Sequence, residues 1–375
     1  MKKILIVYHY VPHYRKAVFD ELLLAGDVML AAGENSNNDI EIMSLEESFH
    51  SSEYVKLENC WFGKEILWQK KLLSLILKRK FNNVIFLASP YFISTWFSAL
   101  LVRVLGGKVY FWTHGFVRDN SLKERLKLYF YSLANGLLLY GHHARSDLLK
   151  KGLPAEKLHV IYNSLDYDNQ KKLRDAITEQ EQKKLKKELF KIPEYPQLLY
   201  VGRLTYHKKL EMLLELVGTL HKNGIPVNLL FVGDGEAKNK LVELTKHKGI
   251  EPLINFYGSC HDETILASLI SSSDVCIAPG EVGLTAMHCL GYGIPVITHS
   301  DVNHQMPEFE AIIDKKTGRL FERDSFESLY QVTLEFINEP IENIRTNCIK
   351  EIEKKYTPEI QAKLIRRAME GADES

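Results

Sequence analysis

Short runs of apolar and β-branched residues alternate with longer stretches of helical periodicity along almost the whole chain, and this pattern constrains the fold most. Strands separated by helical lengths need crossover connections, so they pair in parallel. Strands are expected at residues 4–8, 28–32, 84–87, 108–113, 137–140 and 159–162 of the first half. In the second half they are expected at 198–202, 227–232, 254–257, 275–278 and 295–298. Uninterrupted apolar runs such as Ile4–Val7 fit strands buried on both faces.

A length of 375 residues accommodates two or three domains. After Asn163-Ser164-Leu165-Asp166 the chain turns polar and charged, until Ile192-Pro193-Glu194-Tyr195-Pro196 breaks it before a fresh strand. The expected organisation is a Rossmann-like domain over 1–165, a connection over 166–195, and a second Rossmann-like domain over 196–357. A terminal helix within 358–375 is expected to return to the first domain. The fold class is α/β, two parallel-sheet domains facing a cleft. Ligands of open parallel sheets sit beyond the carboxyl ends of the strands, so the residues after each strand are the candidates.

Lys+Arg and Asp+Glu both number 48, which excludes a strongly basic nucleic-acid binder. The charge is unevenly divided, however: residues 1–165 carry +6 and the remainder −6. Five dispersed cysteines without a CxxC pair read as reduced thiols of a cytoplasmic protein. No uncharged apolar run reaches about 18 residues, so no membrane span is expected. Residues 61–81, basic and aromatic, are expected as a crossover helix that could also press on an anionic membrane surface.

Three stretches carry chemistry. In Gly202-Arg203-Leu204-Thr205-Tyr206-His207-Lys208 a strand ends in glycine, and cations crowd the start of a helix. That placement opposes the helix dipole unless an anion such as a diphosphate lies there. Gly233-Asp234-Gly235 is a strand-end turn able to let backbone approach a ligand. Ala278 to Thr298 reads strand, glycine-rich turn, helix, strand, with Glu281, Val282, Gly283, Leu284 and Thr285 at the helix start. Its amides and the Thr285 hydroxyl are expected to form an anion site, with His288 one turn further on the ligand side.

On these motifs, with Asn163 to Asp166 and Met306-Pro307-Glu308, the chain resembles the family-four retaining glycosyltransferases of GT-B fold. The variant Val282-Gly283-Leu284-Thr285-Ala286-Met287-His288 is similar to enzymes of bacterial surface-polysaccharide assembly. The resemblance implies a nucleotide-sugar donor on the second domain, its diphosphate held by Arg203 and Lys208, and an acceptor against the first. It also implies two glutamates eight positions apart. Here Gly280 and His288 stand in their places, and Glu281 falls one residue late. His288 is therefore expected to hydrogen-bond the ribose.

In the first domain the resemblance places His114, within Phe111-Trp112-Thr113-His114-Gly115-Phe116, against the donor sugar. His13, Tyr14 and Arg15, after the first strand, are expected to shape the acceptor site. Asp166-Tyr167-Asp168 spells a metal signature of another glycosyltransferase fold, but it falls on the connection, so neither metal nor cofactor is expected. The reading is a retaining, metal-independent transferase. It would move a sugar, expected to be UDP-linked, to a glycan or lipid-linked saccharide. The rivals are a GT-B epimerase, an inactive sugar-nucleotide binder, and a nicotinamide oxidoreductase. The last lacks GxGxxG after the first strand.

Overall fold

A computed structural model describes residues 3–35, 43–115, 122–339 and 341–370. The chain divides into two compact units, Met1–Asp166 with Thr357–Ser375, and Tyr167–Tyr356. Every expected strand forms, with ends shifted by a residue or two.

In the first unit the strands are β1 (Ile4–Val7), β2 (Val28–Ala32), β3 (Tyr54–Lys56), β4 (Glu58–Phe62), β5 (Ile66–Lys70), β6 (Asn83–Leu87), β7 (Lys108–Thr113), β8 (Gly136–Leu139) and β9 (Leu158–Val160). Seven of them form a parallel sheet in the order β3-β2-β1-β6-β7-β8-β9. Side chains alternate across it, as the two-residue period of a strand requires. Ile4 and Ile6 meet the helices Lys16–Leu23 and Pro358–Glu370, whereas Leu5 and Val7 meet Leu72–Arg79 and Ile93–Val104. The terminal helix returns to this unit, as expected. Its Gln361 Nε2 donates to the Tyr162 carbonyl (2.6 Å), and Ser164 Oγ donates to Gln361 Oε1 (2.7 Å).

One element differs from expectation. Residues 61–81 are not a single helix: β4 and β5 form an antiparallel hairpin outside the sheet, and only Leu72–Arg79 is helical after it. The hairpin buries polar side chains. Gln69 Nε2 donates to the Tyr8 carbonyl (2.9 Å), and Asn59 Nδ2 donates to that of His9 (2.7 Å). The bonds pair backbone acceptors just beyond β1, and the His9 carbonyl accepts from Gly33 N as well (3.0 Å).

The second unit holds β10 (Gln197–Val201), β11 (Asn228–Val232), β12 (Ile254–Gly258), β13 (Val275–Ala278), β14 (Val296–His299) and β15 (Gly318–Phe321). They form a parallel sheet in the order β12-β11-β10-β13-β14-β15. The stretch read as a connection forms helices Tyr167–Ala176 and Glu179–Leu189, which group with this unit. Arg174 Nη1 donates to the Gly291 carbonyl (2.7 Å), and a Thr178–Glu181 capping box starts the second helix. Strand order reverses between β10 and β13, and such a reversal opens a crevice at the carboxyl ends of the two strands.

Candidate functional site

The loops after β10 and β13 flank that crevice. The β10 loop lies against the β11 loop: Gly202 N donates to the Val232 carbonyl (3.0 Å) and Leu204 N to that of Asp234 (2.9 Å). A Cβ on Gly233, at φ +145°, would sit 2.0 Å from the Gly202 carbonyl oxygen. The Gly233-Asp234-Gly235 turn thus owes its glycines to contact between two loops. The Asp234 carboxylate accepts from Gly235 N (2.8 Å) and Lys238 Nζ (2.5 Å), which holds its pKa below the usual range.

Arg203 is exposed, and its guanidinium makes no hydrogen bond or ion pair among the described residues. Lys208 lies in the short turn Tyr206–Lys208 and is largely covered. Its Nζ donates to the Glu281 carbonyl (2.9 Å) and to Glu281 Oε1 (3.3 Å). Gly280 makes this possible. A Cβ there would stand 2.8 Å from Lys208 Cα and 2.9 Å from the His207 carbonyl oxygen. The missing glutamate side chain at 280 therefore has a steric reason: backbone fills its space, and the next residue brings a carboxylate to the lysine.

The helix Leu284–Gly291 starts behind this pair. Its expected anion site is narrower than the sequence suggested. The Val282 amide donates to Gln305 Oε1 (2.7 Å), and the Thr285 hydroxyl donates to the Val201 carbonyl (2.9 Å). A hydroxyl has one proton to give, so Thr285 Oγ pins the helix start beside Gly202 instead of offering a donor. The amides of Gly283, Leu284 and Thr285 find no acceptor among the described residues. These amides follow β13, as Arg203 and Lys208 follow β10, so each loop at the crevice carries donors of the kind an anion takes.

His288 has Nδ1 buried 3.7 Å from Glu263 Oε1, too far for a hydrogen bond. Burial lowers its pKa, and the nearby carboxylate partly offsets that. Glu263 itself accepts from the Tyr292 hydroxyl (2.7 Å).

Gln305 and Glu263 escaped the sequence reading. Gln305 clamps the loop through Val282, Thr298 (2.9 Å) and the His299 carbonyl (2.9 Å), yet one glutamine in a polar loop shows no periodicity. Glu263 follows the N-cap Asp262 and looks like any first-turn acid. Its neighbour Asp262 was the visible signal.

In the first unit the expected residues separate. His13 and Tyr14 are exposed, but Arg15 is buried. Arg15 Nη1 donates to Asn163 Oδ1 (2.5 Å) and Nη2 to the Tyr140 hydroxyl (2.5 Å), while the guanidinium stands 5.5 Å from the Trp112 ring centre. These bonds tie Arg15 into the unit, which does not match the acceptor contact expected of it. His114 follows β7, with its ring 4.4 Å from that of Tyr140. The packed side of the ring, with Arg15 and Lys127 nearby, pushes its pKa down to about 4, although the residue keeps an exposed edge. Phe116, at the end of that motif, lies outside the described residues. Asp166 and Asp168 are exposed at the start of the helix Tyr167–Ala176.

Residues 181–355 match the family described as glycosyl transferases group 1. Alpha-D-kanosaminyltransferase of Streptomyces kanamyceticus is 29% identical over 45% of this chain and 43% of its own length. The amylovoran biosynthesis glycosyltransferase AmsD of Erwinia amylovora is 25% identical over 52% of this chain and 48% of its own. The chain thus spans about half the length of the curated relatives it matches. Anabaena Alr3699/HepE, solved in complex with UDP, superposes with a TM-score of 0.75 at 13% identity, over 99% of this chain and all of that one. That likeness establishes a GT-B fold.

Proposed function

We propose that the protein is a retaining, metal-independent glycosyltransferase. It transfers a sugar from a nucleoside diphosphate donor, most simply UDP-linked, to a hydroxyl of a glycan or lipid-linked saccharide in surface-polysaccharide assembly. The observation that carries the reading is that Arg203 and Lys208 follow β10, and the unfilled amides of Gly283, Leu284 and Thr285 follow β13, the two strands between which strand order reverses. The family match of this unit and the UDP held by HepE, a protein of the same fold, support it.

In the proposed reaction the bond from the anomeric carbon to the diphosphate breaks, and the acceptor oxygen bonds to that carbon on the same face. The acceptor proton goes to the departing diphosphate, whose charge Arg203 and Lys208 neutralise. On the first unit His114 is proposed to contact a sugar hydroxyl. An imidazole with a pKa near 4 is neutral at physiological pH and offers one donor and one acceptor. His288, half-buried on the helix Leu284–Gly291, is proposed to contact the ribose.

The test is calorimetric titration of UDP. Lys208→Ala and Arg203→Ala should each weaken binding by about 2–5 kcal/mol while melting near wild type. Wild-type affinity in both would reject this site. A sugar-nucleotide binder without turnover is the second reading, favoured by the Glu281 carboxylate that already engages Lys208. Sugar transfer by wild type and not by Lys208→Ala decides between them.

A further inference from the structure

The first unit carries a face that this chemistry does not use. On the hairpin, Asn59 and Gln69 turn inward while Phe62, Ile66 and Trp68 turn outward. Phe62 is 63% exposed and Ile66 41%. The Trp68 ring meets the edge of Phe97 at 6.0 Å, so the hairpin's outer face runs on to the helix Ile93–Val104. There Ile93, Phe97, Leu100 and Val104 recur at helical spacing on the outside, the last 84% exposed. Such a stripe normally faces a core.

The charge around it is one-sided. Residues 58–108, from the start of the hairpin, hold eight Lys or Arg and two acids, Glu58, which pairs with Lys70 (2.5 Å), and Glu65, in a chain whose net charge is zero. A second copy on this face would set six net positive charges against six. Nucleic acid would meet the cations but leave the apolar stripe in water. An anionic bilayer satisfies both, with aromatic and aliphatic groups at the acyl boundary and lysines among the headgroups. No helix among the described residues is long and apolar enough to cross a membrane, so contact would be with the surface.

We propose that the outer face of the β4–β5 hairpin and the helix Ile93–Val104 docks on an anionic lipid surface. This stands independently of the proposed reaction. The full chain is floated with vesicles of phosphatidylcholine containing about one-third phosphatidylglycerol, and with phosphatidylcholine alone. Wild type should float only with the anionic vesicles, and binding should fall about tenfold or more between about 0.1 M and about 0.5 M salt. Lys64→Glu/Lys78→Glu and Phe97→Ser/Leu100→Ser should each lose about tenfold or more while melting near wild type, since all four positions are exposed. Equal flotation of wild type and both variants overturns the proposal. So does a dimer that Phe97→Ser/Leu100→Ser dissolves without any vesicle binding, or salt-sensitive binding to RNA in place of vesicles.

Discussion

Both sheets reverse strand order at corresponding places, β1 beside β6 and β10 beside β13, yet the two places are furnished in opposite ways. Beyond β1 the side-chain amides of Gln69 and Asn59 close on the carbonyls of Tyr8 and His9. The His9 ring packs against Tyr10 at 3.9 Å and Phe92 at 5.5 Å. Beyond β10 and β13 stand two cations and unpaired amides. A topological crevice is thus only an opportunity: one is filled by the chain's own side chains, the other is left polar, and function follows the furnishing.

Two arginines test the contrast most severely. Arg15→Met should cost about 2–4 kcal/mol of stability, because it removes two buried charge-assisted hydrogen bonds, to Asn163 and Tyr140, and it should leave UDP affinity of the folded protein unchanged. Arg203→Met should do the reverse. Thermal melts paired with UDP titrations read both, and a UDP defect without a melting defect in Arg15→Met would break the comparison. A smaller effect comes from pH. His9 is held down to about 4 by burial, and His114 to about 4 chiefly by its packing. Below about 6.5 the unfolded chain takes up protons that these folded sites refuse, so stability falls as pH drops from about 6.5 towards 4. His9→Phe should flatten that fall, and an unchanged slope of melting temperature against pH would show the ring is not the cause. The smallest effect is expected of Thr285→Val. Its hydroxyl serves the Val201 carbonyl, so about 1 kcal/mol of stability goes and UDP affinity stays within about twofold. A tenfold affinity loss would return the hydroxyl to the phosphate site.

The parallel strands were legible because buried strands leave unbroken apolar runs, as at Val28–Ala32 and Val275–Ala278, found at their expected bounds. The hairpin was not, because its pattern is inverted: Asn59 and Gln69 are buried while Phe62 lies in the open. Hydrophobicity read as burial points the wrong way there. Arg203 and Lys208 stood out as cations at a strand end. Where their neighbours' protons go could not be read, since Thr285, Val282 and Gln305 bond to partners far away in sequence. Gly280 looked like a missing glutamate; only the approach of Lys208 Cα shows why no side chain fits.

The return of the helix Pro358–Glu370 to the first sheet has a consequence for how the chain matures. Tyr167–Tyr356 is a continuous segment and closes its core from neighbours in sequence. The first unit is interrupted: Arg366 reaches Asp27 across 339 positions, and Tyr110 reaches the Met369 carbonyl across 259. During synthesis one face of β1 therefore stays uncovered while the whole second unit emerges from the ribosome and folds. Closing so long a loop costs entropy that only the final contacts repay. The unit made first is the unit finished last, and its apolar face is open to chaperones, and to aggregation, throughout the interval.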